Sequence, residues 1–124
     1  AIIFRHRQSG EPVAEELTKA CEITEALTAQ EDAISVYGNR DAYYLRCRRL
    51  PATKYSYQLQ LGQVRPQITE EYFSELQEKL PKIIIQDSID ERMSTFAKEN
   101  GYKIEWQSTS EKGTTIYSRL VTSQ

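Results

Sequence analysis

Residues 82–87 read K-I-I-I-Q-D and set the expectation for the sheet. The three consecutive isoleucines form a short, continuous apolar run of β-branched side chains, which is typical of a strand covered on both faces in a parallel sheet. Pro81 precedes the run and Asp87 follows it. We therefore expect this strand at the centre of the sheet, with helices packed on both of its faces.

The segment before this strand has the periodicity of a helix. Thr69 opens it, and Pro81 prevents its continuation. The apolar side chains that share one helical face are Tyr72, Phe73, Leu76 and Leu80. The spacing therefore predicts a helix from Thr69 to Leu80 that packs on the sheet.

The segment after the strand predicts a second helix with recognisable ends. Ser88 to Glu91 has the S-x-x-E pattern of a capping box, and Asn100-Gly101 supplies a left-handed stop. The side chains expected to face inward are Ile89, Met93, Phe96 and Ala97. Two strands, over residues 102–109 and 114–121, then predict a closing hairpin.

The first half of the chain alternates between the same two element types. A helical stripe over residues 13–27 is followed by a strand at 33–37, a short helix at 42–47 and an alternating strand at 55–61. On the wet face of the first helix we expect Glu15, Glu16, Lys19, Glu22 and Glu25. The order predicts a single α/β domain over residues 1–124: a layered sandwich with a mainly parallel, Rossmann-like central sheet that ends in an antiparallel β-hairpin.

Composition excludes several classes of protein. The chain has 124 residues, 39% hydrophobic residues and a formal net charge of −2, so it is long enough to bury a core and too neutral for a general nucleic-acid binder. It carries no glycine-rich nucleotide loop, no nucleophile elbow and no metal-ligand spacing. We therefore expect no nucleic-acid partner, no cofactor, no metal and no catalytic residue within it.

Three further features concern the cellular context. The only methionine is Met93, so we expect the chain to be processed or to be a fragment of a longer protein. No apolar run reaches the roughly 18 residues of a membrane-spanning helix, so any membrane anchor is expected outside these residues. For Cys21 and Cys47 we expect two buried free thiols, and the alternative is a disulfide bond, which requires an oxidising compartment.

Polar side chains follow two of the predicted strands. Asp41 lies in the turn after the first strand, and Asp87 lies directly after the central one. In an open α/β sheet, ligands bind beyond the carboxyl ends of the strands, where two carboxylates can hold a cation or act as acid and base. The alternative is that these side chains cap helices and satisfy backbone donors.

Residues 40–57 combine positive charge with aromatic side chains. The cations are Arg40, Arg46, Arg48, Arg49 and Lys54, and the tyrosines are Tyr43, Tyr44, Tyr55 and Tyr57. Guanidinium groups match phosphate, so this segment is a candidate surface for phosphate, a lipid headgroup or a sugar. The alternative is a solvated basic stretch that pairs with the acidic first helix.

Two short motifs resemble a known family. Residues 49–58 read R-L-P-A-T-K-Y-S-Y-Q, and residues 80–87 read L-P-K-I-I-I-Q-D. Together they resemble the C-terminal soluble domain of bacterial polytopic membrane glycosyltransferases, the dolichyl-phosphate-mannose mannosyltransferase-like and arabinose-transferase-like proteins. The motif members carried over are Arg49, Pro51, Tyr55 and Tyr57, and for the tyrosines the alternative to a ligand contact is packing.

This resemblance implies a function for the chain as part of a larger protein. It implies a domain on the extracytoplasmic face of a bacterial membrane, attached to a membrane-embedded part of the same polypeptide that transfers sugar from a polyprenyl-phosphate donor. Because that family's catalytic acids lie between membrane helices, the domain alone would be non-catalytic, with a lipid-linked sugar phosphate or an acceptor glycan as a further partner. The alternative is a stand-alone α/β binding or interaction module that uses the strand ends near Asp41 and Asp87.

Overall fold

The computed structural model describes residues 14–38, 42–53, 65–87, 90–108 and 114–119. Four helices and four strands lie within these ranges. In chain order they are α1 (Ala14–Leu27), β1 (Ser35–Tyr37), α2 (Ala42–Cys47), α3 (Pro66–Lys79), β2 (Ile83–Gln86), α4 (Glu91–Glu99), β3 (Lys103–Gln107) and β4 (Thr115–Ser118).

The strands form one mixed sheet in the order β1-β2-β4-β3. β1 and β2 are parallel, with Val36 opposite Ile85, whereas β4 runs antiparallel to both β2 and β3. The prediction of an α/β fold with a closing hairpin is confirmed, but the prediction of a mainly parallel, Rossmann-like sheet is wrong. The hairpin inserts β4 beside β2 and leaves β3 at the edge, so only one pair of strands is parallel.

Helices cover both faces of this sheet. On one face α3 and α4 contribute Tyr72, Phe73, Leu76, Met93 and Phe96 to a core that includes Ile84 of β2. On the other face, α1 and α2 contribute a core that the sheet completes. Its fully buried members are Ala20, Ile34, Tyr43, Ile83, Ile85 and Ile116.

The central position of β2 is confirmed. Ile83 and Ile85 point into the α1 and α2 core, and Ile84 points into the α3 and α4 core, because successive side chains of a strand alternate between its faces. All three isoleucines are 0% exposed. The apolar run therefore reports burial on both faces, which any inner strand of a three-layer sandwich requires, and it does not encode the direction of the neighbouring strands.

Two helix starts differ from the predicted ones. α3 begins at Pro66, three residues before Thr69, because proline suits the first turn of a helix, where no N–H partner is needed. α4 is capped by Asp90, whose carboxylate accepts a hydrogen bond from the Met93 N–H at 3.0 Å. The predicted cap Ser88 lies outside the described residues. The left-handed stop is confirmed, since Gly101 has φ +81°.

The first helix is tied to the second by a disulfide bond between Cys21 and Cys47, whose Cα atoms are 4.8 Å apart. The expectation of two free thiols is therefore wrong. Cysteine spacing alone gave no sign that α1 and α2 pack side by side. Glu16 was also expected on the wet face, but it is 7% exposed, and its carboxylate accepts hydrogen bonds from Ser108 Oγ at 2.5 Å and Thr114 Oγ1 at 3.3 Å.

Several predictions concern residues outside the described ranges. The alternating strand at 55–61 lies outside the described residues, as do the start of the first helical stripe and Ile89. No helix within the described ranges is both long enough and apolar enough to cross a bilayer.

Candidate functional site

The carboxyl ends of the two parallel strands meet at one edge of the sheet, as predicted for neighbouring strands. There the Asp87 N–H donates to Tyr37 O at 3.1 Å, and the Asp87 side chain lies directly against Gly38. Asp87 is only 4% exposed. Gly38 has φ +145°, and a Cβ atom there would overlap the Asp87 carboxylate. This close approach requires glycine.

Asp41, the predicted partner of Asp87, lies outside the described residues, and so does Arg40. The structure therefore places Asp87 at the expected edge of the sheet without testing the pair. The carboxylate is buried against the backbone of Gly38, directly after β1.

A set of polar side chains that sequence reasoning missed lies beside this edge, between the sheet and the start of α4. Tyr37 OH donates to Asp90 Oδ2 at 2.9 Å, and Tyr117 OH donates to Gln86 Oε1 at 3.3 Å. The Ser94 hydroxyl lies 3.4 Å from the same Tyr117 hydroxyl. No pattern in the sequence pointed to these contacts, because β2 reads I-I-I-Q and β4 reads T-I-Y-S, without alternation of polar and apolar residues. Their hydrogen bonds join the strand ends to the α4 cap.

Among the described residues of the basic segment, one arginine is buried and two are exposed. Arg49 is 8% exposed; its Nε donates to Thr28 Oγ1 at 3.1 Å, and its Nη1 donates to Cys47 O at 3.1 Å. The guanidinium thereby links the end of α1 to the end of α2, next to the disulfide bond. This placement favours a structural contribution from Arg49, because its Nε and Nη1 donors are used within the protein.

The residues that follow Arg49 run alongside β1. The Ile34 N–H donates to Leu50 O at 3.0 Å, and the Ala52 N–H donates to Ile34 O at 2.8 Å, which pairs Pro51 with Ile34 in a parallel bridge. The first half of the family-like motif therefore extends the sheet by one bridge beyond β1. Proline suits such an edge, where its missing N–H costs no ladder hydrogen bond.

Four exposed side chains project from α2 and from the turn after it. Leu45 is 83% exposed and Leu50 is 77% exposed, and Arg46 and Arg48 are exposed beside them. Leu45, Arg48 and Leu50 line one shallow cavity of about 290 Å³. We call Leu45, Arg46, Arg48 and Leu50 the arginine-leucine surface. Neither of its guanidinium groups forms an ion pair within the described residues.

A groove of about 750 Å³ lies between α3 and α4. Across it Arg92 donates two hydrogen bonds of 3.0 Å to the Glu70 carboxylate and lies 4.2 Å above the Phe73 ring. The hydrogen bond raises the pKa of Arg92 and lowers the pKa of Glu70. Both charges are thus engaged with each other, and the groove offers no free cation to a ligand at this point.

A second groove, of about 590 Å³, lies between α1 and β3 and is lined by Trp106 and by charged side chains of α1, including Glu15 and Glu22. Glu105 of β3 accepts a hydrogen bond from the Ser118 hydroxyl of β4, which lowers the pKa of the Glu105 carboxyl. On the far side of the sheet, burial raises the pKa of Tyr102, whose hydroxyl donates to Pro81 O at 2.5 Å.

The described residues offer few groups for covalent or metal chemistry. They include no histidine and no free cysteine. Within the same ranges, no three side chains from His, Cys, Asp and Glu come close enough to hold a metal ion.

Comparisons with protein-family models, with curated proteins and with solved structures find no match to this chain. Of the predicted binding residues, the structure places Arg46 and Arg48 together on one surface, Arg49 beneath it and Asp87 at the strand ends. Tyr55 and Tyr57 lie outside the described residues, so their predicted role stays a prediction.

Proposed function

We propose that the chain is the non-catalytic, extracytoplasmic accessory domain of a bacterial membrane glycosyltransferase that uses a polyprenyl-phosphate sugar donor. The observation that carries this proposal is the disulfide bond between Cys21 and Cys47. Structural disulfides persist in oxidising environments outside the cytoplasm, which is where the family resemblance also puts the domain. The bond lies two residues before Arg49, the first residue of the family-like motif.

The placement of that motif supports the same proposal. Arg49 and Pro51 fix the segment against α1 and β1 and leave Leu50 and Arg48 on the outside. The motif therefore holds an exposed, basic surface in one geometry. In the proposed function this surface faces the membrane-embedded part of the same polypeptide and its lipid-linked sugar phosphate, since guanidinium groups suit phosphate.

The chemistry of sugar transfer would come from the membrane-embedded part. The described residues contribute recognition and cover for that part.

The test is a sugar-transfer assay on three proteins: the uninterrupted parent protein in membranes, the parent without residues 14–119, and the isolated chain. We expect transfer by the parent, a loss of at least tenfold in the deletion variant at equal protein level, and no transfer by the isolated chain. Turnover of a polyprenyl-phosphate sugar by the isolated chain, or full activity of the deletion variant, would overturn the proposal.

A second function is favoured by the polar side chains beside the strand ends. A stand-alone binding module would use Asp87 together with Tyr37, Asp90 and Tyr117, at the position where open α/β sheets bind ligands. A start codon a few residues before Ala1 would favour this module. Several hydrophobic spans upstream would favour the transferase.

A further inference from the structure

The arginine-leucine surface combines exposed apolar side chains with exposed cations, on α2 and on the turn after it. Leu45 and Leu50 are the most exposed of the large apolar side chains in the described ranges, at 83% and 77%. The helix that carries Leu45 has a complete buried face of its own, made by Tyr43, Tyr44 and Cys47. The core of the protein is therefore complete without Leu45, and the exposure of Leu45 is not a consequence of poor packing.

The two arginines beside these leucines are similarly unused by the fold. Arg46 and Arg48 are exposed and form no ion pair within the described ranges, in contrast to Arg49, whose Nε and Nη1 donate to groups within the protein. Arg48 also has φ +57°, a left-handed conformation that glycine adopts more readily. An arginine at this position costs conformational energy, and its guanidinium forms no ion pair within the described residues.

We propose that the arginine-leucine surface rests on a membrane whose headgroups are anionic, with the leucines entering the interfacial region and the arginines binding lipid phosphate. Apolar side chains flanked by cations are the pattern of interfacial membrane contacts, and each arginine near an anionic leaflet adds binding free energy. This inference deepens the proposed function, on which it rests for the tether that keeps the domain at a membrane.

A lipid surface fits these residues better than a protein partner does. A stable protein interface needs about 800 Å² from each side and 20 to 30 residues, with charges depleted at its centre. Here only two leucines are exposed beside two arginines that have no ion-pair partner in the described ranges, and the cavity lined by Leu45, Arg48 and Leu50 holds only about 290 Å³. Anionic lipid supplies the complementary charge and the apolar medium in a single partner.

The expected affinity is weak, as suits a tethered domain. Two leucines and two arginines give a partition constant on the order of 10³ to 10⁴ M⁻¹, comparable to that of one myristoyl chain. Such binding orients a domain that is already held at the membrane without requiring it to find the membrane alone.

The test is co-sedimentation of the whole 124-residue chain with vesicles at millimolar lipid concentration, made either of phosphatidylcholine alone or with 30% phosphatidylglycerol. We expect binding to the anionic vesicles that falls with added salt. L45S/L50S should weaken it by roughly tenfold for each leucine, and R46Q/R48Q by about 25-fold in total. Each variant should unfold at the temperature of the wild type, since all four side chains are exposed.

Two matched control variants distinguish vesicle binding by this surface from nonspecific binding. I104S removes an apolar side chain that is 54% exposed on β3, at the opposite edge of the sheet, and K79Q/K98Q removes two exposed cations from α3 and α4. Both controls should bind vesicles as the wild type does. Equal loss in the controls, absence of binding to anionic vesicles, or a self-association that L45S/L50S abolishes would overturn the proposal.

These outcomes are independent of the transfer assay. If vesicle binding is absent while deletion of residues 14–119 abolishes sugar transfer, only the lipid contact is refuted. If vesicle binding is present while the deletion variant transfers sugar normally, only the transferase proposal is refuted.

Discussion

Breaking the Cys21–Cys47 disulfide bond should lower the free energy of unfolding by about 3.5 kcal/mol. The bond closes a loop with a sequence separation of 26, and the chain-entropy relation assigns that value to the constraint on the unfolded state. A domain of this size has a stability of about 5 to 15 kcal/mol, so the loss is a large share of the total.

The assay is urea denaturation of the oxidised protein, of the protein in reductant, and of the double variant C21S/C47S. We expect the reduced protein and the variant to unfold at a urea concentration roughly 2 M lower than the oxidised protein. The melting temperature should fall by about 13 °C. The variant should not respond to reductant, which is the control for other effects of that reagent.

Two results would refute this reasoning. One is a difference below about 0.5 kcal/mol between oxidised and reduced protein, which would mean that the bond does not restrict the unfolded chain as the loop length requires. The other is titration of two free thiols in the denatured, unreduced protein. That second result would also remove the observation that carries the extracytoplasmic assignment.

Three further predictions concern single positions. Gly38→Ala should lower the free energy of unfolding by more than about 3 kcal/mol, because the new methyl group would overlap the Asp87 carboxylate. Gly101→Ala, which has open space around it, should lower the free energy of unfolding by only about 1 kcal/mol. Equal effects of the two variants in urea denaturation would contradict the close approach of Gly38 and Asp87. Arg49→Met should cost about 2 to 3 kcal/mol through lost hydrogen bonds to Thr28 and Cys47, and unchanged stability would return Arg49 to the candidate binding residues. Hydrogen bonding from the Ala29 N–H and the Lys82 ammonium holds the pKa of Asp32 below its ordinary 3.8. The contribution of Asp32 to stability is therefore present above that pH and is lost as the pH falls through the lower folded-state pKa. D32N should remove part of the acid sensitivity of the urea midpoint, and a midpoint with the same pH dependence in both proteins would refute the assignment.

The sequence predicted the elements where burial and spacing leave few alternatives. The triple isoleucine of β2 and the inward residues of α4 are examples, because a side chain that repeats on one face must pack against something. The hairpin could be predicted equally well from the sequence, because two strands separated by a short polar turn pair with each other.

Strand direction was not predictable in the same way. Ile83, Ile84 and Ile85 are buried whether β4 lies parallel or antiparallel to β2, so their apolar character carries no information on the neighbour. The error in the sheet assignment follows from reading burial on both faces as evidence for parallel strands.

The candidate site was predicted as a segment but not as individual residues. The sequence alone does not distinguish Arg46, Arg48 and Arg49 from one another. Only the packing of α2 on α1 buries Arg49 and leaves Arg46 and Arg48 exposed. The same packing brings Cys21 to Cys47, a pairing that depends on tertiary contact rather than on local spacing.

The most direct measurement is the cellular location of the chain within its native protein. An antibody against residues 66–119 should detect a species much larger than 14.4 kDa that remains in the membrane pellet after alkaline carbonate extraction. In intact spheroplasts, protease added outside should remove the antibody signal. A species of about 14.4 kDa in the cytosolic fraction, protected from external protease, would contradict an extracytoplasmic domain of a membrane glycosyltransferase.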